Sequence, residues 1–304
     1  MIINQNLVTL FYNFVTTIIE NMKRFLLIMA TALLSVACAT QKSGDNKKTI
    51  FVTIAPLQHL AEELTCGDFS VELLVKQGAS PETFEPTSSD IARLNDAEMV
   101  FSTGLISFEH SLTHSIGNRV VNLSEGITTL GGTCSHHHCN HSHGIDPHIW
   151  TSPRELRTMV ENMHRAVVSH YPDSTKYNDA AERITARLDS LDSYCRVQLG
   201  DDKKRAIMIY HPAYTYLAHN YHIEQIAIEN EGKEPTAKHL VKLIERGRKM
   251  GVRAIFHQPQ YSADKLRSVA EELDAEVIMT DPLSLDIESE IRRVVDIISE
   301  QNES

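Results

Sequence analysis

Apolar residues along this chain alternate between short β-branched runs and stretches with helical spacing. Thr49 to Ile54 is a β-branched run that predicts a buried strand, and the apolar spacing of Leu57 to Leu64 predicts a helix. Because strands that alternate with helices form parallel sheets covered by helices, this part of the chain is expected to be α/β. Further strands are predicted at 69–75, 99–102 and 120–123, with a helix at 88–95 opened by Ser88 as its cap.

Two long helical patterns occupy the middle of the chain. The first covers 153–170 and is broken by Tyr171-Pro172, because proline does not continue a helix. The second covers 174–199 and would be about 40 Å long at 1.5 Å per residue. A helix of this length can cross one lobe and join it to another, although a long surface helix is the alternative interpretation.

After residue 205 the alternation of strands and helices restarts. The chain is therefore predicted to be α/β with two βα lobes and mostly parallel sheets, at 49–173 and 200–304, joined by the linking helix 174–199. In such folds ligands lie beyond the carboxyl ends of the strands. The elements predicted in the second half are strands at 206–210, 223–228, 254–256 and 276–279, and helices at 214–219, 237–250, 263–273 and 287–298.

The N-terminus has the features of a bacterial export signal. Met22-Lys23-Arg24 is basic, 25–37 is apolar, and a small residue precedes Cys38. We expect Cys38 to carry a lipid that anchors the protein to a bacterial membrane on the periplasmic side, with an ordinary secretory signal or an uncleaved anchor as alternatives. Residues 1–37 are then an upstream extension and signal, and the polar stretch 38–48 is a tether.

The net charge of the chain argues against nucleic acid as a partner, and the spacing of its cysteines argues against a dense disulfide framework. The chain carries a formal charge of −11 at pH 7, and removal of residues 1–37, which carry +1, leaves −12. A chain this acidic is not expected to bind nucleic acid. Besides Cys38, the cysteines stand at 66, 134, 139 and 195, too scattered for a dense disulfide framework. Cys134 and Cys139 suit either a small disulfide loop or two thiolate ligands.

Histidines are concentrated in one short stretch. Six of the sixteen lie between Cys134 and Trp150, and imidazole and thiolate are ligands that Zn²⁺ prefers. Flanking glycines predict a mobile loop over 131–144, and the ordering of such a loop on binding lowers affinity. This His-rich loop is therefore expected to be an auxiliary metal site. Its histidines are His136, His137, His138, His141 and His143.

Four further residues with metal-ligating side chains stand just past predicted strands or in rigid loops. Taken singly, a histidine after a strand is more often an ordinary loop residue than a ligand, and an aspartate before proline is commonly a turn residue. Glu82 suits a solvated loop carboxylate and a ligand equally well. Two from each lobe around one cleft, however, is an arrangement in which an ion can close the lobes. The predicted ligands of the main site are Glu82, His148, His211 and Asp281.

Six segments carry a resemblance to a known family. They read GASPETFEPTSSD at 78–90, DPHIWTSP at 146–153, HPAYTYLAHNY at 211–221, EGKEPTAK at 231–238, IFHQPQYS at 255–262 and DPL at 281–283. In this order, over about residues 50–300, the chain resembles the metal-binding substrate-binding proteins of ABC importers, and more narrowly their zinc-uptake branch. The resemblance implies two βα lobes joined by one long helix, with the ion between them. It also implies that a monomer hands the ion to a membrane permease powered by a cytoplasmic ATPase.

The resemblance assigns the four ligand positions to Glu82, His148, His211 and Asp281, in that order along the chain. Glu82 is a departure, because zinc members usually carry histidine there. Two histidines and two carboxylates also suit Mn²⁺ or Fe²⁺, whereas the His-rich loop is typical of the zinc branch. His59 or a loop histidine is a candidate replacement for the missing imidazole. His257 is expected to be packed and not to bind the ion.

Three functions are compatible with these features to different degrees. The first is a lipid-anchored zinc-binding protein that serves an ABC importer. The second, a metallohydrolase, lacks an H-E-x-x-H helix, a nucleophile elbow and a phosphate-binding glycine loop, so we expect no enzyme activity. The third is a metal-sequestering or adhesive surface lipoprotein without a permease, which the sequence leaves open.

Overall fold

The computed structural model describes residues 47–131, 144–200, 205–229, 233 and 235–301, with the single residues Thr16 and Met22. Residues Lys47–Ser304 form one compact unit, which contains every strand and helix given below. The predicted signal, the lipidation site, the histidines of the His-rich loop and the two cysteines of that loop lie outside the described residues. The predictions made for them therefore stay predictions.

The first sheet has four parallel strands in the order β2-β1-β3-β4. The two central strands are almost entirely buried, as expected for strands covered by helices on both faces. Ile50 of the first strand pairs with Val71 on one side and Met99 on the other. The strands are β1 (Thr49–Val52), β2 (Ser70–Leu73), β3 (Met99–Ser102) and β4 (Val120–Asn122).

The second sheet repeats this arrangement, with four parallel strands in the order β6-β5-β7-β8. Its central strand β5 is fully buried, and Ile209 pairs with Ala227 and Phe256. Two parallel α/β lobes were predicted from the alternating pattern, and this fold class is confirmed. The strands are β5 (Ala206–Ile209), β6 (Glu224–Ala227), β7 (Ala254–His257) and β8 (Glu276–Met279).

Most helices begin and end within a few residues of the predicted bounds. One helix, Ser107–Ile116, was not predicted, because polar residues separate its buried side chains. The cap of the helix at 88–95 is Thr87, whose side chain accepts from Asp90 N, and not Ser88 as predicted. The helices are α1 (Pro56–Leu64), α2 (Ser88–Asn95), α3 (Ser107–Ile116), α4 (Pro153–His170), α5 (Thr175–Leu199), α6 (Thr215–Asn220), α7 (Ala237–Met250), α8 (Arg267–Leu273) and α9 (Ile287–Glu300).

The long helix α5 has 25 residues and belongs to a core shared by both sheets. One cluster of buried side chains includes Ile50 of the first sheet, Leu188 of α5 and Phe256 of the second sheet. On the surface, the Arg187 guanidinium of α5 pairs with Glu63 of α1 and Glu288 of α9, each at 2.8 Å. Helix α5 therefore contacts elements of both lobes, as a linking helix must.

None of the described helices is both long enough and apolar enough to cross a bilayer.

Candidate metal centre

Three of the predicted ligand side chains lie together. The ligand atoms of Glu82, His148 and His211 are all within 4.8 Å of one another, and no other such group of three occurs in the described part of the chain. Glu82 lies in a single 3₁₀ turn, Pro81–Thr83, and His148 immediately precedes another, Ile149–Thr151. His211 follows strand β5 and Tyr210, at the carboxyl end of the second sheet.

His148 is buried, and its orientation is set by a carboxylate two residues away. Asp146 Oδ1 accepts from the backbone N of His148 at 2.8 Å and lies 2.9 Å from ring Nδ1. The opposite ring atom, Nε2, lies 3.9 Å from Glu82 Oε1. The ring also packs beside Trp150, with centroids 5.1 Å apart. Because Nδ1 is occupied by Asp146, Nε2 is the atom presented to the site.

Asp146 is itself held by the second lobe. Thr215 of α6 donates its hydroxyl to Asp146 Oδ2 at 2.6 Å, and the hydroxyl of Tyr216 donates to the Asp146 carbonyl at 2.8 Å. Burial alone would raise the pKa of Asp146, but the charge of His148 and the hydrogen bonds from His148 and Thr215 outweigh it and hold the pKa low. Asp146 therefore remains ionised at neutral pH and fixes the imidazole.

His211 stands between two carboxylates. Its Nε2 lies 2.9 Å from Glu82 Oε1, and its Nδ1 lies 2.9 Å from Glu229 Oε1. Gln258 holds the backbone of His211, donating to its carbonyl at 2.6 Å and accepting from its N–H at 3.4 Å. The ring of Tyr261 stacks on the imidazole with centroids 5.5 Å apart.

These contacts shift the pKa values of the site. Burial lowers the pKa of His211, but the adjacent carboxylates of Glu229 and Glu82 raise it more strongly, to about 10. Burial acts on Glu82 in the opposite sense, and His211 and His148 outweigh it and lower the Glu82 pKa. In the metal-free protein His211 therefore carries a proton at neutral pH, and any cation that binds through this imidazole must displace that proton.

Asp281, the fourth predicted ligand, lies outside this group. It follows β8, where its carboxylate accepts from the backbone N of Leu283 at 3.0 Å and its own N–H donates to Glu290 at 2.9 Å. Burial raises the pKa of Asp281. Its neighbours Pro282 and Leu283 line the cavity beside the three grouped side chains. Ligation by Asp281 stays a prediction.

Two other histidines considered from the sequence are not in the group either. His59 is exposed on α1, and the carboxylates of Glu63 and Asp286 are close enough to interact with it electrostatically. His257 is half-buried at the end of β7, with Nδ1 3.4 Å from the carbonyl of Gln258.

The cavity between these side chains is small. Its volume is about 30 Å³, and its walls include Trp150, Tyr261 and Leu283 in addition to the three grouped residues. Pockets for drug-sized ligands are roughly ten or more times larger, whereas a single water needs only about 10–15 Å³ on this measure. The site thus has room for an ion with one or two waters.

Three residues that organise the site were missed in the sequence, namely Glu229, Gln258 and Tyr261. Glu229 had a detectable signal, since it immediately follows the predicted strand 223–228, just as other site residues follow their strands. Gln258 and Tyr261 lie in the segment at 255–262 that carries the family resemblance, but nothing in their spacing indicates a contact with His211.

Comparisons with a family model, with curated proteins and with solved structures agree with one another. The family model described as "Zinc-uptake complex component A periplasmic" matches residues 50–299. The zinc-binding lipoprotein AdcA of Streptococcus pneumoniae is 27% identical over 278 residues, which cover 86% of this chain and 56% of AdcA. This chain therefore spans about half the length of the AdcA relatives it matches.

A relative of similar length and a solved structure agree with that match. The high-affinity zinc uptake system protein ZnuA of Bacillus subtilis is 28% identical over 270 residues, covering 82% of this chain and 84% of that protein. A crystal structure of ZnuA superposes with a TM-score of 0.75 at 27% identity, covering 84% of this chain and 99% of that one. From the family match and the shared fold, the chain belongs to the family of periplasmic zinc-uptake component A proteins.

Proposed function

We propose that this protein is the extracytoplasmic zinc-binding component of an ABC metal importer, which captures the ion and delivers it to a membrane permease. The observation that carries the proposal is the group formed by Glu82, His148 and His211 in a cavity of ionic size. The names of the relatives, a zinc-binding lipoprotein and a high-affinity zinc uptake protein, support it.

The chemistry of capture follows from the donor set. Two imidazole Nε2 atoms and a carboxylate oxygen form a mixed nitrogen and oxygen site of the kind that Zn²⁺ occupies. Asp281 is proposed as a fourth ligand. Because the imidazole of His211 must be deprotonated to bind, uptake of the ion releases a proton. No covalent step is involved, and the protein is proposed to have no enzyme activity.

Release would require the lobes to separate, since the ligands come from both of them. His211 lies in the second lobe, whereas Glu82 and His148 precede α5. Hydrogen bonds join the lobes beside the site, and each would have to break as the lobes separate. They include those from Thr215 to the Asp146 carboxylate at 2.6 Å, from Tyr216 to the Asp146 carbonyl at 2.8 Å, from Thr151 to the Ala213 carbonyl at 2.8 Å and from Trp150 to the Pro282 carbonyl at 2.7 Å.

A second cargo is favoured by one observation. Glu82 places a hard carboxylate where zinc members of the family usually carry histidine, and oxygen ligands suit Mn²⁺ and Fe²⁺. The same protein carrying Mn²⁺ or Fe²⁺ is therefore the alternative, and a metal-sequestering surface lipoprotein is the alternative without a permease. The two buried imidazoles favour zinc.

The proposal also includes the location of the protein, its partners and an auxiliary metal site. A lipid on Cys38 would hold a monomer on the periplasmic side of a bacterial membrane, with 38–48 as the tether. The permease and its cytoplasmic ATPase are the expected partners. The histidines of the 131–144 loop would act as an auxiliary site that collects ions.

The test is a calorimetric titration of the purified full chain with zinc and with manganese, in the presence of a competing chelator. One tight zinc site is expected, retained when 133–143 are deleted and lost in the His211→Ala variant. His110→Ala, at an exposed histidine of α3, is the matched control and should bind as the parent does.

Two outcomes would change the assignment. If tight zinc binding disappears with 133–143 and is unaffected by His211→Ala, the site lies in the His-rich loop and a sequestering lipoprotein is the better account. If manganese binds more tightly than zinc at the His211-dependent site, the cargo is manganese.

A further inference from the structure

Glu229 is a buried carboxylate that touches His211 on the side away from the cavity. Only 8% of the residue is exposed, and its Oε1 lies 2.9 Å from His211 Nδ1. It is not one of the three side chains grouped around the cavity. A buried carboxylate costs free energy unless a partner compensates it, and here the imidazole is the partner. Glu229 therefore contacts the three grouped side chains through His211.

The backbone holds Glu229 in this place independently of its side chain. The ladder between β5 and β6 continues beyond the paired residues Ile209 and Ala227. The N–H of Ile228 donates to the Ile209 carbonyl at 2.9 Å, and that of Glu229 donates to the Tyr210 carbonyl at 3.1 Å. Because Tyr210 directly precedes His211, the carboxylate and the imidazole leave adjacent strands side by side.

This contact selects one tautomer of the neutral imidazole. A neutral histidine has a single N–H, and a carboxylate at Nδ1 draws that hydrogen to Nδ1. Nε2 then carries the lone pair and lies 2.9 Å from Glu82 Oε1. Two acceptors at that distance repel each other unless a proton or a metal ion lies with them. The tautomer selected by Glu229 is thus the one whose Nε2 can bind a metal ion.

Two further contacts restrict the other movements of the ring. Gln258 bonds both the N–H and the carbonyl of His211, which limits backbone rotation. Tyr261 covers one face of the imidazole at a centroid distance of 5.5 Å, with an angle of 24° between the rings. The remaining freedom is rotation of the ring about its own bond, and the Glu229 contact opposes that rotation.

We propose that Glu229 is a positioning residue for zinc capture, which holds the His211 ring so that Nε2 faces the ion while Glu229 itself does not bind the metal. The inference rests on the function proposed above. Outer carboxylates of this kind contribute roughly 10–100-fold to metal affinity. The corresponding role at His148 belongs to Asp146, so each imidazole has its own carboxylate.

The test compares Glu229→Gln, which removes the charge, with Glu229→Met, which also removes the acceptor, in the full chain. Zinc affinity is measured by chelator competition, and the Nδ1 hydrogen of His211 is observed by NMR in the zinc-loaded protein. We expect affinity to fall about 10-fold for Glu229→Gln and about 100-fold for Glu229→Met. We also expect the Nδ1 hydrogen signal to move upfield in the first and to exchange with solvent in the second.

Two controls distinguish a loss of His211 positioning from a loss of folding. Glu271→Gln makes the same change at an exposed glutamate of α8 and should alter neither affinity nor the NMR signal. Urea unfolding of the metal-free variants reports on folding. If the Gln and Met variants do not fold, Glu229→Asp keeps the charge but shortens its reach, and should lower affinity less than 10-fold with a measurable shift of the same signal.

Three results would overturn the inference. Unchanged affinity and an unchanged Nδ1 signal in folded variants would remove the positioning role while leaving zinc binding intact. Loss of one zinc ligand in the X-ray absorption spectrum of Glu229→Gln would make Glu229 a ligand. Failure of the parent protein to bind zinc tightly would instead overturn the proposed function, and the positioning role with it.

Discussion

The two imidazoles of the site present the same ring atom to the cavity, but they are supported differently. His148 takes its carboxylate from Asp146, two residues earlier in the same loop, and Asp146 also accepts from the His148 backbone. The carboxylate beside His211 is that of Glu229, 18 residues later and just past the neighbouring strand β6. The first arrangement is local in the chain, and the second exists only when the sheet has formed.

This difference separates two ways of orienting a ligand. At His148 the loop and the ring share one carboxylate, so loop conformation and ring orientation depend on the same group. At His211 the backbone is held by Gln258 and the ring by Glu229, so these functions are divided between two residues. Substitutions near His148 should therefore affect folding and metal binding together, whereas those near His211 should affect binding more selectively.

The largest expected effect is removal of either imidazole. His148→Ala and His211→Ala should each weaken zinc binding roughly a thousandfold, since each deletes a nitrogen ligand of the ion. Chelator competition measures both. An effect below about tenfold for one of them would show that this imidazole is not a ligand, and the comparison between the two would lose its basis.

The next effect is expected at Asp146. Asp146→Asn should lower zinc affinity about 10–100-fold and also lower the free energy of unfolding by about 1–3 kcal/mol, because Asp146 also accepts from Thr215 and from its own loop. Urea unfolding of the metal-free protein gives the second quantity. Unchanged stability of Asp146→Asn would show that Asp146 does not support its loop as well as the ring.

A pH series examines the two carboxylates beside His211. The raised pKa of about 10 compares with an ordinary value of 6.5. A raised pKa in the folded state contributes stability that is fully present below pH 6.5 and is lost as pH rises through about 10. The free energy of unfolding of the metal-free protein should thus fall by on the order of a few kcal/mol over this range.

Zinc affinity should rise over the same range, because fewer protons must be displaced from His211. Urea unfolding with chelator present and zinc competition at each pH measure the two trends. The His211→Ala variant is the control and should lack this component of the stability change. A parent protein with pH-independent stability in this window would show that the carboxylates do not hold a proton on His211.

The smallest effect is expected at Tyr261. Tyr261→Phe keeps the ring that stacks on His211 and should change zinc affinity less than about twofold, whereas Tyr261→Ala removes the stacked surface and should weaken binding roughly fivefold. Calorimetry on the two variants distinguishes them. A larger loss with Tyr261→Phe than with Tyr261→Ala would assign the contribution to the hydroxyl instead of to the ring.

Much of the fold was predictable because hydrophobic periodicity reports directly on local structure. The strands and the long helix α5 follow from apolar spacing alone. Helix α3 was not predicted because mostly polar residues stand between its buried apolar residues Phe108, Leu112 and Ile116. Its burial depends on the side chains that pack against it, such as Phe84, which meets Phe108 at a centroid distance of 5.0 Å. Such tertiary contacts cannot be inferred from the spacing of apolar residues along the chain.

The candidate site was likewise only partly predictable from the sequence. The position of each potential ligand after a strand, and the local Asp146-Pro147-His148 loop, can be read along the chain. The structure brings Glu82, His148 and His211 together and leaves Asp281 outside their group, a distinction that the sequence did not make. The pairing of Glu229 with His211 depends on the register of β5 and β6.

The sequence by itself thus determined the α/β elements, the family resemblance and which residues have metal-ligating side chains, because these depend on local composition and spacing. Only the tertiary structure decided which of those side chains meet, which ring atom of each histidine faces the cavity, and how small that cavity is. Those properties arise from strand register and packing between segments far apart in the chain. Electrostatic interactions over a few ångströms then set the protonation of His211.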